Sequence, residues 1–324
     1  MREITFSDAT LEAMAEEMER DARVFVMGED IARQGGIFGQ FKGLPQRFGL
    51  ERVLDTPISE TAIVGAGVGA ALAGMRPVVD MHFADFITVC MDEVVNQMAK
   101  IRYMFGGQCT VPVVLRAPDG IIRSAAAQHS QSLEAWFLHV PGLKVVVPSN
   151  PADAKGLLKA AIRSDDPVLY FEHKALFPTK GPVPDGDHIV PIGKANIVRP
   201  GRDVTIVSYS MMLHRVLEAA DKLAGQGIEA EVIDLRTISP IDFDAIYASI
   251  AKTHRLMVVH EAVKTGGVGA EIAARVAEEN LDLLDAPIVR IGAPYVPIPF
   301  SPNLEKLVKI TADDVTLAAM KLCK

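Results

Sequence analysis

The chain lacks a cysteine framework. Its three cysteines, Cys90, Cys109 and Cys323, form no CxxC pair and no even set. That excludes a disulfide scaffold, and a reducing, cytoplasmic setting is expected. No run of 18 apolar residues free of charge occurs, so no membrane span is expected. The first residues hold no signal-type apolar stretch. Charges are scattered without blocks of one sign, and the formal net charge is −8. Nucleic acid is therefore not expected as a partner. The signatures GxSxG, HExxH and GxxxxGK[ST] are missing, so neither a serine elbow, nor a zinc protease helix, nor a P-loop offers a mechanism. His129 and His139 stand ten residues apart with no cysteine or carboxylate at ligand spacing, which argues against a metal centre built on them.

What is present is length and apolar content. A chain of 324 residues is too long for one ordinary core, and two domains are expected. Hydrophobic residues make up 49% of it, an excess that suggests large apolar interfaces with partner subunits. Apolar strands alternate with amphipathic helices throughout. Val24–Gly28, Arg76–Met81, Val111–Arg116, Leu143–Val147 and Pro167–Phe171 read as buried strands. Ala9–Glu19 reads as a helix capped by Ser7 or Asp8, Thr88–Phe105 as a long helix, and Pro151–Arg163 as one capped by Asn150. This alternation predicts an α/β fold with parallel sheets covered on both faces. Pro/Gly clusters at Lys180–His188 and Arg199–Asp203 flank a linker with some strand character, Ile189–Val198. A second α/β series follows from Val204. The expected division is 1–185, a linker at 186–202, and 203–324.

The most informative stretch is Asp55-Thr-Pro-Ile-Ser-Glu60 followed by an almost wholly apolar, small-residue run to Gly74. Ser59 stands where an N-cap belongs, so Glu60 falls in the first turn of a helix built for burial. Such a carboxylate is either a simple complement to the helix dipole or a buried acid that shares a proton with a ligand nitrogen. Gly65-Ala-Gly-Val-Gly69 imitates a dinucleotide fingerprint, but it lies inside the helix instead of in a strand-to-helix turn. Its small residues suit close approach by another backbone or subunit. His82-Phe-Ala-Asp-Phe86 falls at the end of a strand, where parallel sheets place ligands. Gln128-His129-Ser130-Gln131 forms a dense polar loop, which reads equally as solvated surface or as an acid–base site.

Together with Gly74-Met-Arg-Pro77, Pro141-Gly-Leu-Lys-Val-Val146 and Glu231-Val-Ile-Asp-Leu-Arg236-Thr-Ile-Ser-Pro240, these motifs are collinear along almost the whole chain. In them the chain resembles the β subunits of the thiamine-diphosphate-dependent first component of 2-oxo acid dehydrogenase complexes. The resemblance implies an N-terminal pyrimidine-binding domain and a C-terminal domain of transketolase type. It also implies an α subunit in a two-α, two-β heterotetramer, which holds the cofactor's diphosphate and Mg²⁺. The Gly-Asp-Gly…Asn-Asn signature for that task is absent here. Glu60 would hydrogen-bond a pyrimidine ring nitrogen and set its tautomer, which requires it to keep a proton near neutrality. Phe86 would stack on the pyrimidine, and His82 would occupy a neighbouring pocket position where relatives often carry an apolar or amide residue. His129 would steer proton transfer and acyl transfer to a lipoyl arm. The resemblance further implies a structural K⁺ held near Val113, Ala161, Ile162, Ser164 and Asp166, with Ser164 standing where relatives often have Asp.

The implied activity is cleavage of a 2-oxo acid (pyruvate or branched-chain) or acetoin, with acyl transfer to lipoyllysine of an acyltransferase core. Phe171-Glu-His-Lys-Ala-Leu-Phe177 and Val296-Pro-Ile-Pro-Phe-Ser-Pro302 look most like acetoin dehydrogenase β subunits. Pro118-Asp-Gly-Ile-Ile-Arg-Ser124 departs from the glycine-rich loop usual there and sets Arg123 where it would meet an anionic substrate. The alternative is a non-catalytic assembly subunit of the same kind of complex. Glu60, Phe86 and His129 together argue against it, since an idle site needs no buried carboxylate.

Overall fold

A computed structural model describes residues 1–324. The chain forms two compact units, one of residues 1–119 and 136–192, the other of residues 120–135 and 193–324.

The first unit opens with β1 (Arg2–Thr5) and α1 (Phe6–Arg20). Thr5 caps α1 by accepting the Asp8 N–H at 3.0 Å. The helix thus starts three residues before the expected Ala9, because Phe6 is drawn wholly into the core. Then follow β2 (Val24–Gly28), α2 (Leu44–Phe48), β3 (Val53–Asp55), α3 (Glu60–Leu72) and β4 (Arg76–Asp80). The predicted helix Thr88–Phe105 is realised in three pieces: a 3₁₀ segment at Ala84–Cys90, a π segment at Glu93–Met98 and α4 (Ala99–Met104). The set is completed by β5 (Val114–Asp119), α5 (Glu134–Leu138), β6 (Lys144–Val146), α6 (Pro151–Arg163), β7 (Val168–His173) and β8 (Lys180–Val183). Asn150 caps α6 as expected, accepting the Asp153 N–H at 2.9 Å.

The strands of this unit lie in the order β6-β7-β5-β4-β2-β3, all parallel, while β1 and β8 pair antiparallel apart from them. Residues of α1, α6 and the strands form one core, among them Met14, Met18, Val26, Val78, Val114, Leu157 and Tyr170. Lys155 and Lys159 of α6 bond Glu16 of α1 at 2.6 Å each, so a charged seam joins the two helices. Of the three glycines in the α3 motif, Gly67 carries the close approach. A Cβ there would lie 2.6 Å from Val79 Cγ1 of β4, whereas Gly69 faces open space. The outward face of α3 holds Ala62, Ala66, Gly69, Leu72 and Ala73, all exposed and all small or apolar.

The second unit comprises β9 (Asn196–Arg199), β10 (Val204–Ser208), α7 (Ser210–Ala224), β11 (Ala230–Asp234), β12 (Thr237–Ser239), α8 (Phe243–Thr253), β13 (Leu256–Val263), α9 (Val268–Glu279), β14 (Val289–Ala293), α10 (Pro302–Val308) and α11 (Ala312–Leu322). Its sheet has the order β14-β13-β10-β11-β9, parallel except for β9. β9 lies within the expected linker and joins this sheet as an antiparallel edge, so the strand character read there is real. Residues Gly120–Ala135 follow β5 and run into the first residues of α5, but pack with this second unit.

Candidate active site at the carboxyl ends of the parallel strands

In the first unit, three neighbouring strands end together. β2 ends at Gly28, β3 at Asp55 and β4 at Asp80, with Gly28 paired to both Asp55 and Asp80. Ligands of parallel sheets bind beyond such ends. Glu29 follows β2, His82 follows β4 after one residue, and Phe86 sits in the 3₁₀ segment beyond. Glu60 opens α3 and is buried, 9% exposed. Ser59 occupies the N-cap position, yet its side chain makes no cap hydrogen bond. The Glu60 carboxyl itself therefore lies at the positive end of the α3 dipole.

Glu29 is the residue that sequence reasoning missed. Burial pushes its carboxyl above the usual range, the nearby Glu60 charge pushes it further, and His82 opposes. His82 turns both ring nitrogens onto it: Nε2 lies 2.9 Å from the Glu29 carbonyl oxygen and Nδ1 3.4 Å from its carboxylate. A carbonyl only accepts, so Nε2 carries the hydrogen and Nδ1 faces the carboxyl group. His82 thus holds Glu29 in place. A carboxylate directly after an apolar parallel strand was the available signal for Glu29.

Phe86 is half-buried and packs edge-on against Phe83, with centroids 5.7 Å apart. Phe83 meets Phe38 in the same way at 5.9 Å, and Phe38 lies 5.2 Å from Phe177. This aromatic row fixes the Phe86 ring from behind. The structure brings together Glu60, His82 and Phe86 in the first unit, whereas His129 belongs to the second, half-buried in the segment 120–135.

The oxygens of the residues expected around K⁺ already have protein partners. The Val113 carbonyl already accepts the Val168 N–H at 2.9 Å, and the Ala161 carbonyl accepts that of Ser164 at 3.1 Å. Arg76 Nη1 donates to the carbonyls of Ile162 and Ser164, both at 3.0 Å. Lys144 Nζ donates to Ser164 Oγ at 3.0 Å and pairs with Asp166 at 3.1 Å, and Arg102 also pairs with Asp166. Arg76, Lys144 and Arg102 thus meet the oxygens of Ile162, Ser164 and Asp166, while backbone N–H groups meet those of Val113 and Ala161.

A buried acid and a flat, partly uncovered aromatic ring at strand ends suit a flat, nitrogen-bearing ring as ligand. Residues 2–180 match the family model "Transketolase, pyrimidine binding domain", and residues 193–315 match "Transketolase, C-terminal domain". The chain is 47% identical to the 2-oxoisovalerate dehydrogenase subunit beta of Bacillus subtilis, over all of both chains. It is 49% identical to the beta subunit of acetoin:2,6-dichlorophenolindophenol oxidoreductase of Cupriavidus necator, over 100% of this chain and 98% of that one. It is 46% identical to a mitochondrial pyruvate dehydrogenase E1 component subunit beta of Oryza sativa, over 99% of this chain and 87% of the relative. Among solved structures, a split-gene transketolase described as an inactive beta4 tetramer superposes with a TM-score of 0.81 at 24% identity, covering 99% and 98% of the two chains. A transketolase of Pichia stipitis gives 0.74 at 15% identity, and this chain spans 46% of it. The last two show the fold alone.

Proposed function

The chain belongs to the transketolase-type β-subunit family of the 2-oxo acid and acetoin dehydrogenases, and on that premise we propose that it supplies the pyrimidine-binding half of a thiamine-diphosphate site. The observation that carries this reading is Glu60, buried at the start of α3 beside Glu29 and within the strand-end site that holds Phe86. When bound, thiamine diphosphate would supply an acidic carbon whose carbanion adds to the substrate carbonyl, and a ring that takes up the electron pair released when the adjoining C–C bond breaks. Glu60 would donate to and accept from a pyrimidine ring nitrogen and so hold the proton that fixes the ring's tautomer. Phe86 would press its face against that ring, a contact worth about 0.5–1.5 kcal/mol beyond buried area. His82 would keep Glu29 turned toward Glu60.

The diphosphate and Mg²⁺ would be held by an α subunit, since this chain has no motif for them. Exposed apolar side chains support an assembly of two α and two β chains: Ile58, Val89, Tyr103, Met104 and Phe105 on the first unit lie open to solvent in the isolated chain. The reaction is cleavage of pyruvate, a branched-chain 2-oxo acid or acetoin, followed by acyl transfer to lipoyllysine of an acyltransferase core. His129 would act in that transfer.

The test is co-expression with the cognate α chain, addition of thiamine diphosphate and Mg²⁺, and reduction of an artificial electron acceptor with each of the three substrate classes. Turnover with one class well above the others is expected. A stable complex that turns over none of them overturns the reading. In the same assay His129→Ala is expected to slow acylation of a free lipoyl domain by about 10²-fold, in the range of a lost acid–base group. Cofactor affinity should change far less, and equal losses in both would remove His129 from acyl transfer.

A further inference from the structure

The segment from Gly120 to Ala135 carries His129 but has little regular structure to hold it. Two of its backbone bonds are long, Gly120 N–H to the Gln131 carbonyl at 3.3 Å and Ala125 N–H to that of Ile122 at 3.4 Å. Ser124 and Ala126 both take left-handed conformations, φ +57° and +62°, which L-residues adopt only under constraint. The constraint comes from carboxylates far along the chain. Glu261 of β13 accepts the Ile121 N–H at 2.9 Å through Oε1. Glu305 of α10 accepts the Ser124 N–H at 2.9 Å through Oε2, and its other oxygen pairs with Lys309. At the far end, the Tyr209 hydroxyl donates to Glu134 at 2.7 Å. Glu305 is 3% exposed although it is charged and lies on a short surface helix. Helix packing alone gives no reason to bury it; capture of the Ser124 amide does.

We propose that Glu305 and Glu261 are positioning residues that clamp the His129 loop by its backbone amides. The two clamped amides flank Arg123, so they fix the register of the loop before the polar run 128–131 begins. A carboxylate is suited to this because a charge-assisted bond to N–H is roughly twice as strong as a neutral one. It also needs no side-chain identity at Ile121 or Ser124. The meaning of the clamp for turnover rests on the role proposed for His129, while the clamp itself is readable without any activity.

Arg123 is exposed and precedes Ser124, so the scissile Arg123–Ser124 bond is a built-in trypsin reporter of loop opening. Cleavage needs several residues to detach, and its rate follows the open population. In the complex with the α chain, wild type is expected to resist cleavage there. Glu305→Ala should be cut at least about tenfold faster at this bond, with other tryptic sites unchanged. Glu305→Gln, whose amide oxygen still accepts the Ser124 N–H, should fall between them. Lys309→Ala, which removes only the ion pair, should behave as wild type. Glu261→Gln and Glu261→Ala repeat the test at the other amide should Glu305→Ala not assemble. In activity, Glu305→Ala should lose more in lipoyl-domain acylation than in artificial-acceptor turnover. Rapid cutting of wild type, or wild-type cutting rates in both alanine variants, overturns the clamp. Faster cutting with undiminished acylation upholds the clamp and removes the role given to His129.

Discussion

Glu60→Gln is expected to lower turnover by about 10²–10⁴-fold, the range for a lost proton-transfer group, in a complex that still assembles and still binds thiamine diphosphate. The substitution keeps the shape of a buried first-turn residue and leaves α3 its packing on β4 through Gly67. A glutamine still hydrogen-bonds a ring nitrogen, so cofactor affinity should change little. It cannot pass a proton, so the loss should fall on turnover. A second consequence is local. The Glu60 charge helps to hold the Glu29 carboxyl above its usual range, so in the variant Glu29 should ionise at lower pH. Turnover with an artificial acceptor, cofactor titration and thermal unfolding together check this. A variant that keeps more than half of wild-type turnover removes Glu60 from the chemistry.

The features visible in the sequence are those set by local pattern. Alternation of apolar strands and amphipathic helices sufficed for two parallel α/β units, and the Asn150-Pro151 pair sufficed for the start of α6, because cap chemistry is local. Glu60 was readable for the same reason: an acid directly before an apolar small-residue run stands out. What long-range packing decides was not readable. The start of α1 follows burial of Phe6 rather than the best capping residue inside the window. The stretch Thr88–Phe105 reads as one helix but changes pitch along its length. The polar loop 120–135 gave no sign of packing with the second unit, because its amides meet Glu261 and Glu305 across sequence separations of 140 and 181 residues. Buried charges were equally hidden. Asp80 and Glu172 lie at or near the ends of apolar strands, and Arg116 closes the strand read from sequence at 111–116, places where a charged residue normally marks emergence into solvent. In the structure all three are buried.

Glu172→Gln is expected to be among the most destabilising single changes in the first unit. Arg116 and Glu172 face each other across β5 and β7 with both side chains 0% exposed. Arg116 Nη2 donates to Glu172 Oε1 at 2.8 Å and to Thr10 Oγ1 at 2.9 Å, and the guanidinium lies 4.9 Å from the Phe41 ring centre. Removing one partner of such a pair leaves a buried charge without its counterpart, at about 3–5 kcal/mol. For a unit of this size that is about 6–20 °C in the apparent unfolding temperature.

Asp80, at the end of β4 and buried without a hydrogen-bond partner for either oxygen, behaves in the opposite way. Burial pushes its carboxyl well above the usual range; Arg116 opposes, while Glu172 and Glu29 add to the rise. A carboxyl raised in the folded state binds its proton more tightly there than in the unfolded chain. Its contribution to stability is therefore complete below about pH 4 and is lost as pH rises toward the folded value. Asp80→Asn has no proton to lose, so its stability relative to wild type should grow with pH in that window, by at most about 1.4 kcal/mol per pH unit. The two changes are coupled. Glu172 is one of the charges that push the Asp80 carboxyl up, so in Glu172→Gln the Asp80 carboxyl ionises more readily and can serve as the counter-charge of Arg116. That relief is absent from the double variant Asp80→Asn/Glu172→Gln, whose loss at neutral pH should exceed the sum of the single losses by about 0.5–3 kcal/mol. Chemical denaturation of the four proteins at pH 5 and pH 8 measures it. Additive losses at both pH values would mean that Arg116 answers to Glu172 alone.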